Sequence, residues 1–131
     1  MELRSGKKFK EKDLEELFLS VEWKSGKRAV DLKKAMQGSD TVLSAWDGEK
    51  LVGMINAVSD RTMVAFFPYL LVRPDYQGKG VGKALLLKML EIYDGYFRRT
   101  LICYNDKVEF YQKHGFIKLD DQSAMSIEPK S

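Results

Sequence analysis

The chain has 131 residues, of which 22 are basic and 19 acidic, so its formal net charge is +3. A chain of this length buries enough surface to fold as one domain, and we predict a single domain over residues 1–131. Its one cysteine, Cys103, excludes an internal disulfide, and a single histidine leaves no residue set for zinc. We therefore expect no metal and a reducing, cytoplasmic compartment.

Neither the apolar segments nor the basic clusters of the sequence indicate a membrane or a nucleic-acid partner. The N-terminal residues lack the apolar segment of a secretion signal, and the most apolar run, 63–72, is about half of the ~20 residues that a membrane-spanning helix needs. Basic residues cluster at 7–12 and 24–28 without an RNA- or DNA-binding motif. We interpret these clusters as solvated surfaces and predict no membrane and no nucleic-acid partner.

Helical and strand-like apolar periodicities alternate along the chain. In chain order the predicted elements are helices at 13–23 and 29–37, strands at 41–46, 50–58 and 63–72, a helix at 83–96, a strand at 99–104, a helix at 106–114, and strands at 116–120 and 123–127. The hairpin signal Asp47-Gly48-Glu49 makes the first strands an antiparallel meander. The fold class is therefore α/β, with a mixed, mostly antiparallel central sheet flanked by helices.

Pro68 lies inside the third predicted strand. Because proline has no N–H group, it cannot donate a ladder hydrogen bond in the middle of a sheet. It marks either a place where the strand parts from its neighbour or an ordinary bulge near the sheet edge.

The most informative segment is a glycine-rich turn between a strand and a helix, Leu70-Leu71-Val72-Arg73-Pro74-Asp75-Tyr76-Gln77-Gly78-Lys79-Gly80-Val81-Gly82. Glycines let a ligand approach the backbone, and the free amides and dipole of a helix start favour an anion. A dinucleotide fingerprint would need a small residue at Lys83, and a P-loop would need a hydroxyl at Ala84. The turn therefore predicts a phosphate site of another kind.

Two motifs carry a resemblance to a known family. V-x-P-x-Y followed by Q-x-x-G-x-G, here Val72 to Gly82, resembles the acyl-CoA pyrophosphate loop of the GNAT superfamily of N-acetyltransferases. Residues 104–116 are similar to the closing F-Y-x-K-x-G-F helix of that family. The resemblance implies the GNAT (acyl-CoA N-acyltransferase) fold. It also implies transfer of an acetyl group from acetyl-CoA to a primary amine, by direct attack in a ternary complex.

The resemblance also indicates which residues would hold acetyl-CoA, the cosubstrate. Backbone of the strand before the loop would pair with the pantetheine arm, and loop amides would bind the pyrophosphate, with charge added by two lysines. Asn105 either contacts the cofactor or only begins the last helix. The predicted cofactor-binding residues are Leu70, Leu71, Val72, Gln77, Gly78, Lys79, Gly80, Val81, Gly82, Lys83 and Asn105.

Catalysis is assigned less completely. Tyr111 matches the tyrosine that the family places near the cofactor sulfur, which implies that its phenol protonates the leaving thiolate. Residues 66–70 contain no carboxylate for the amine proton. A water chain, Tyr69 or Asp60 are candidates for the base. The missing carboxylate also motivates the alternative function, a catalytically weak acyl-CoA-binding regulatory module.

The amine acceptor is not specified by the sequence. An aromatic set either lines an apolar pocket suited to an arylalkylamine or belongs to the sheet core. This set comprises Trp46, Phe66, Phe67 and Tyr69. Small relatives in the superfamily often dimerise, so the resemblance leaves a homodimer open.

Overall fold

The computed structural model describes residues 1–129 and shows an α/β chain. Its elements are β1 (Glu2–Ser5), α1 (Glu11–Ser20), α2 (Ala29–Gly38), β2 (Thr41–Asp47), β3 (Lys50–Ser59), β4 (Val64–Phe66), β5 (Leu70–Val72), α3 (Val81–Ile92), β6 (Arg98–Thr100) and α4 (Val108–Gln112). Short 3-10 turns precede α2, α3 and α4. By its contacts the chain forms two units, Met1–Leu101 and a C-terminal one from Ile102. The single domain stays a prediction.

The sheet of the N-terminal unit has the order β1-β2-β3-β4-β6, and β5 also pairs with β3. Its neighbours are antiparallel except β4 and β6, which are parallel. This confirms the predicted mixed, mostly antiparallel sheet. Strand β1 was not predicted, because its four residues are all exposed and show no alternation.

Helices cover both faces of this sheet. Met54 of β3 belongs to an apolar cluster with Leu17 of α1 and Met36 of α2. The preceding residue, Gly53, would place a Cβ 3.3 Å from a side-chain carbon of Val81 in α3. Because adjacent strand residues point to opposite faces, α3 lies on the face opposite α1 and α2.

The predicted strand 63–72 is divided into β4 and β5. Phe66 pairs with Val58, whereas Leu70 pairs with Ile55, so three residues, 67–69, lie opposite only two residues of β3. One extra residue on one strand defines a β-bulge. Pro68 is the middle residue of this bulge, which confirms that it marks a place where regular pairing fails.

Several predicted boundaries were wrong. Helix α3 runs from Val81 to Ile92 instead of 83–96, and β6 is paired only over Arg98–Thr100. In the C-terminal unit, α4 is shorter than the predicted helix 106–114, and its start has no side-chain cap. It is followed by Gly115, whose φ of +94° lies in the left-handed region.

The predicted strands at 116–120 and 123–127 are also wrong, because these residues join no sheet. A strand needs a hydrogen-bonded neighbour, whatever the propensity of its residues. Alternating apolar side chains such as Ile117 and Ile127 remain exposed instead. Across residues 1–129, no helix is both long enough and apolar enough to span a bilayer.

Candidate functional site

The turn between β5 and α3 is exposed and has an unusual backbone conformation. Gly78 has φ +77° and Gly80 has φ +84°, in the left-handed region that other residues rarely adopt. A Cβ at either position would meet nothing within 4 Å. The glycines are therefore required by the backbone angles of the turn, and the space beside it is open.

The start of α3 offers free hydrogen-bond donors. Gly80 is the N-cap residue and supplies no side-chain cap, and the helical ladder begins with Ala84 N donating to Gly80 O at 3.0 Å. Within residues 1–129, the amides of Val81, Gly82 and Lys83 have no acceptor, as is usual for a first helical turn. These donors and the helix dipole favour an anion at this position.

Side chains hold the turn in place. The amide of Gln77 donates from Nε2 to Val72 O at 2.8 Å, which ties the turn to the end of β5. The Tyr76 hydroxyl donates to Asp47 at 2.5 Å, and the Lys79 ammonium lies 5.5 Å from the centre of the Tyr76 ring. Lys79 and Lys83 are exposed and add positive charge to the turn.

Strand β5 has one open edge. It pairs with β3 on one side, and no strand among residues 1–129 pairs with the other side. Arg73 N donates to Val52 O at 2.8 Å, and Tyr69 O accepts from Asn56 N at 3.2 Å. The backbone groups of Tyr69 and Arg73 therefore point toward β3. Because strand residues alternate, Leu70 and Val72 direct their backbone groups to the open edge.

The predicted cofactor residue Leu71 differs from its two neighbours. It pairs with Met54 of β3, and its side chain is buried in the apolar cluster. Leu71 thus contributes to the core and to the pairing with β3. The Leu70 amide and carbonyl and the Val72 amide, in contrast, point to the open edge. The Val72 carbonyl is already used by Gln77.

The C-terminal unit contains the predicted acid. The Tyr111 ring is half-buried and packs against Phe110 and Phe116, with ring centres 5.1 and 5.5 Å away. Burial, with a smaller contribution from Cys103, raises the pKa of Tyr111 to about 12. Its hydroxyl is therefore protonated at neutral pH and available as a donor. Asn105 is exposed at the start of the 3-10 turn before α4.

Asp60 is a poor candidate for the base. Its Oδ1 accepts the amides of Thr62, Met63 and Val64 at 2.9, 2.8 and 3.1 Å. These hydrogen bonds lower the pKa of Asp60, because they stabilise the charged carboxylate. Asp60 instead closes the turn between β3 and β4. Among residues 1–129, no group of three or more His, Cys, Asp and Glu side chains is placed to bind a metal.

The aromatic residues considered for an acceptor pocket have different ring partners. Trp46 stacks on Phe9 at 6.4 Å, and Phe67 is buried with its ring centre 6.1 Å from that of Tyr93. Tyr69 packs instead with a different pair of aromatic rings, Phe18 at 5.2 Å and Trp23 at 6.1 Å. Phe67 thus fits the sheet-core interpretation, and Trp46 and Tyr69 both pack against the apolar cluster beneath α1 and α2.

Asn56 is the residue that the sequence reasoning missed. It is buried in the middle of β3, and its side-chain oxygen accepts the amide of Tyr69 in the bulge at 3.0 Å. A signal was present, because Asn56 is the one amide within the otherwise apolar run 51–58. A buried amide needs partners, and here the partner is the bulged strand.

Comparison with known proteins agrees with this geometry. Residues 38–118 match the family model of the acetyltransferase (GNAT) domain. The chain is 33% identical over 130 residues to an uncharacterised N-acetyltransferase, ycf52, of Pyropia yezoensis, covering 91% of this chain and 71% of that protein. It is 39% identical over 77 residues to the chloroplastic GCN5-related N-acetyltransferase 2 of Arabidopsis thaliana, covering 53% of this chain but only 30% of the relative.

A solved structure has a similar fold. A GNAT family acetyltransferase of Streptococcus pneumoniae superposes with a TM-score of 0.85 at 26% identity, over 99% of this chain and 98% of that one. With a family model that covers more than half of its residues, the chain belongs to the GNAT acetyltransferase family. The general activity of this family is acyl transfer, which makes the protein an acyltransferase.

Proposed function

We propose that this protein transfers an acetyl group from acetyl-CoA to a primary amine of a small molecule, by direct attack in a ternary complex. One observation supports this proposal above the others. The open edge of β5, toward which the Leu70 and Val72 amides point, leads into the glycine turn, and within residues 1–129 the amides of residues 81–83 at its far side have no acceptor.

The residues present fit coenzyme A. Its pantetheine arm carries amides that can pair with Leu70 and Val72 in the manner of an added strand. Its diphosphate is an anion suited to the free amides of residues 81–83, and the left-handed Gly80 brings that backbone into the open. When bound, acetyl-CoA supplies the thioester carbonyl that an amine can attack.

Tyr111 is proposed as the proton donor to the leaving sulfur. With a pKa raised to about 12, its phenol stays protonated at neutral pH. A thiol has a pKa near ~8.5, so the thiolate is a weaker base than the phenolate would be. The Tyr111 hydroxyl would thus hydrogen-bond to the departing sulfur and pass its proton to it while the phenoxide regains a proton from water.

The proton of the attacking amine is proposed to leave to water. Residues 64–72 contain no carboxylate, and the lowered pKa of Asp60 makes it a weak base. An alkylamine with a pKa of ~10.4 is mostly charged at neutral pH. We therefore expect kcat/KM for such an amine to rise with pH until the amine has lost its proton.

The direct test combines binding and turnover. Acetyl-CoA at a hundred times its Kd is expected to stabilise the fold by about 2.7 kcal/mol, visible as a rise in Tm. A panel of small primary amines is then scored by thiol release. A rise in Tm with no turnover on any amine would favour the regulatory acyl-CoA-binding module, which the missing carboxylate supports. No rise in Tm would contradict both functions.

The role of Tyr111 has its own test. Tyr111→Phe keeps the ring and removes the hydroxyl, so we expect unchanged acetyl-CoA affinity and a kcat lower by about a hundredfold, within the usual range for general acid catalysis. Tyr104→Phe is the matched control, because Tyr104 lies in the same unit and is 68% exposed. Equal kcat values for the two variants would remove Tyr111 from the acid role.

A further inference from the structure

Asn56 connects three elements of the N-terminal unit through hydrogen bonds. Its side-chain Oδ1 accepts a hydrogen bond from the backbone N–H of Tyr69 at 3.0 Å, and its backbone N–H donates to the Tyr69 carbonyl at 3.2 Å. Its Nδ2 donates to Ser39 Oγ at 3.1 Å, and that hydroxyl donates to Ala35 O of α2 at 2.8 Å. Asn56 and Ser39 are 2% and 3% exposed, so water cannot readily replace these partners.

The bulge that Asn56 contacts reverses the direction of the backbone groups. Before it, Phe67 N donates to Thr100 O at 3.0 Å and Met63 O accepts from Arg98 N at 3.1 Å, so the odd-numbered residues face β6. After it, the odd-numbered Tyr69 and Arg73 face β3. Without the extra residue, Leu71 would face the open edge in place of its two neighbours.

From this geometry we infer that Asn56 is a positioning residue for the pantetheine arm of coenzyme A. Pro68 cannot donate to the ladder, and the Asn56 side chain takes the place of a backbone carbonyl for the next amide, that of Tyr69. This holds the bulge in the register that turns Leu70 and Val72 to the open edge. The inference rests on the proposed function and names a residue that touches neither cofactor nor amine.

The test compares two ligands. Coenzyme A contains the pantetheine arm, whereas its phosphoadenosine diphosphate part lacks it. In Asn56→Leu, we expect the Kd for coenzyme A to rise about tenfold, the effect of one or two lost hydrogen bonds, and the Kd for the fragment to stay unchanged. The ratio of the two Kd values separates positioning of the arm from a general loss of binding.

Ser39→Ala is the matched control. It also removes a buried hydrogen bond of Asn56, on the side away from the bulge, so it is expected to lower Tm without changing the ratio. Asn56→Asp retains an oxygen for the Tyr69 amide and, when its buried carboxyl is protonated, a donor for Ser39. Because the oxygen that contacts the bulge is retained in both protonation states, we expect the wild-type ratio in Asn56→Asp, with its loss of Tm relieved as the pH is lowered.

The outcomes are distinguishable. An unchanged ratio in folded Asn56→Leu, or the same change in Ser39→Ala, would overturn the inference. Failure of the wild type to bind either ligand would instead overturn the proposed function. If Asn56→Leu does not fold, amide hydrogen exchange of the wild type decides. The Tyr69 amide is expected to be protected with and without coenzyme A, and the Leu70 and Val72 amides only with it; the opposite pattern contradicts the inference.

Discussion

The two ends of helix α3 are built in opposite ways. At its start, an exposed glycine turn leaves the amides of residues 81–83 without partners among residues 1–129. Just past its end, Tyr93 is 1% exposed, donates its hydroxyl to Asp40 at 2.6 Å and accepts from Thr41 Oγ1 at 2.7 Å. The comparison teaches that one end of the helix is stabilised by satisfied polar groups, whereas the other leaves donors available to the proposed ligand.

The network after α3 also has a defined electrostatic character. The hydrogen bond from Tyr93 and then the ion pair with Arg61 lower the pKa of Asp40. Burial, together with the same hydrogen bond, raises the pKa of Tyr93 to about 12. At neutral pH the charged Asp40 and the neutral Tyr93 thus stabilise each other.

The largest expected effect comes from a negative charge at the start of α3. Gly80→Asp places a carboxylate where the proposed diphosphate binds, and we expect affinity for coenzyme A to fall at least about a hundredfold. Calorimetric titration of the folded variant measures this loss.

Gly95→Asp is a close control for that variant. Gly95 follows the other end of α3, has the same φ of +84° as Gly80, and likewise has nothing within 4 Å of an added Cβ. Both variants therefore carry the same backbone strain and the same added charge. Similar affinities for coenzyme A in the two variants would show that the start of α3 has no special role.

The next effect is on stability. Tyr93→Phe leaves the ring in place and removes the hydrogen bond to the Asp40 carboxylate, so we expect the free energy of unfolding to fall by about 1.5–3 kcal/mol. Coenzyme A affinity should stay at the wild-type value, because the change is at the far end of the helix. Urea denaturation and ligand titration of the same sample check both statements; a weakened affinity would break the comparison.

Lowering the pH should narrow the difference in the free energy of unfolding between wild type and Tyr93→Phe. Because the folded-state pKa of Asp40 is below its ordinary value of 3.8, its contribution to stability is present above that pH and is lost as pH falls through the folded value. Tyr93→Phe removes the largest cause of this shift. Urea midpoints from neutral pH down to about 2 should therefore converge, and a constant gap would contradict the assignment.

The smallest effect concerns a lysine in the first turn of α3. Lys83→Ala removes an exposed charge from the proposed diphosphate site, and we expect about a threefold loss of coenzyme A affinity that shrinks with added salt. Lys88→Ala, which removes another exposed lysine of the same helix, is the control. A salt-independent loss, or equal losses in both variants, would argue against a charge contribution at this position.

Features that depend on neighbouring residues in the chain could be predicted from the sequence. The glycine turn and the interruption at Pro68 each follow from the conformational limits of single residues, whereas the start of α3 was placed two residues too late. The network after α3 could not be predicted, since Asp40 and Arg61 meet Tyr93 only after three elements have packed. Asn56 was missed for the same reason: its partner lies on the next strand.

The secondary-structure predictions that were wrong also have physical causes. The exposed strand β1 has no apolar alternation and depends on pairing with β2. Conversely, residues 116–120 and 123–127 alternate as strands do, yet join no ladder. Periodicity reports which side chains could share a face, and it does not report whether a neighbouring strand is present to pair with them.

The most direct test of the account is a crystal structure of the protein with coenzyme A. We expect the diphosphate oxygens to accept hydrogen bonds from the amides of residues 81–83, and the pantetheine arm to pair with the backbone of Leu70 and Val72. Coenzyme A bound elsewhere, with the glycine turn and the open edge of β5 free, would contradict the central claim.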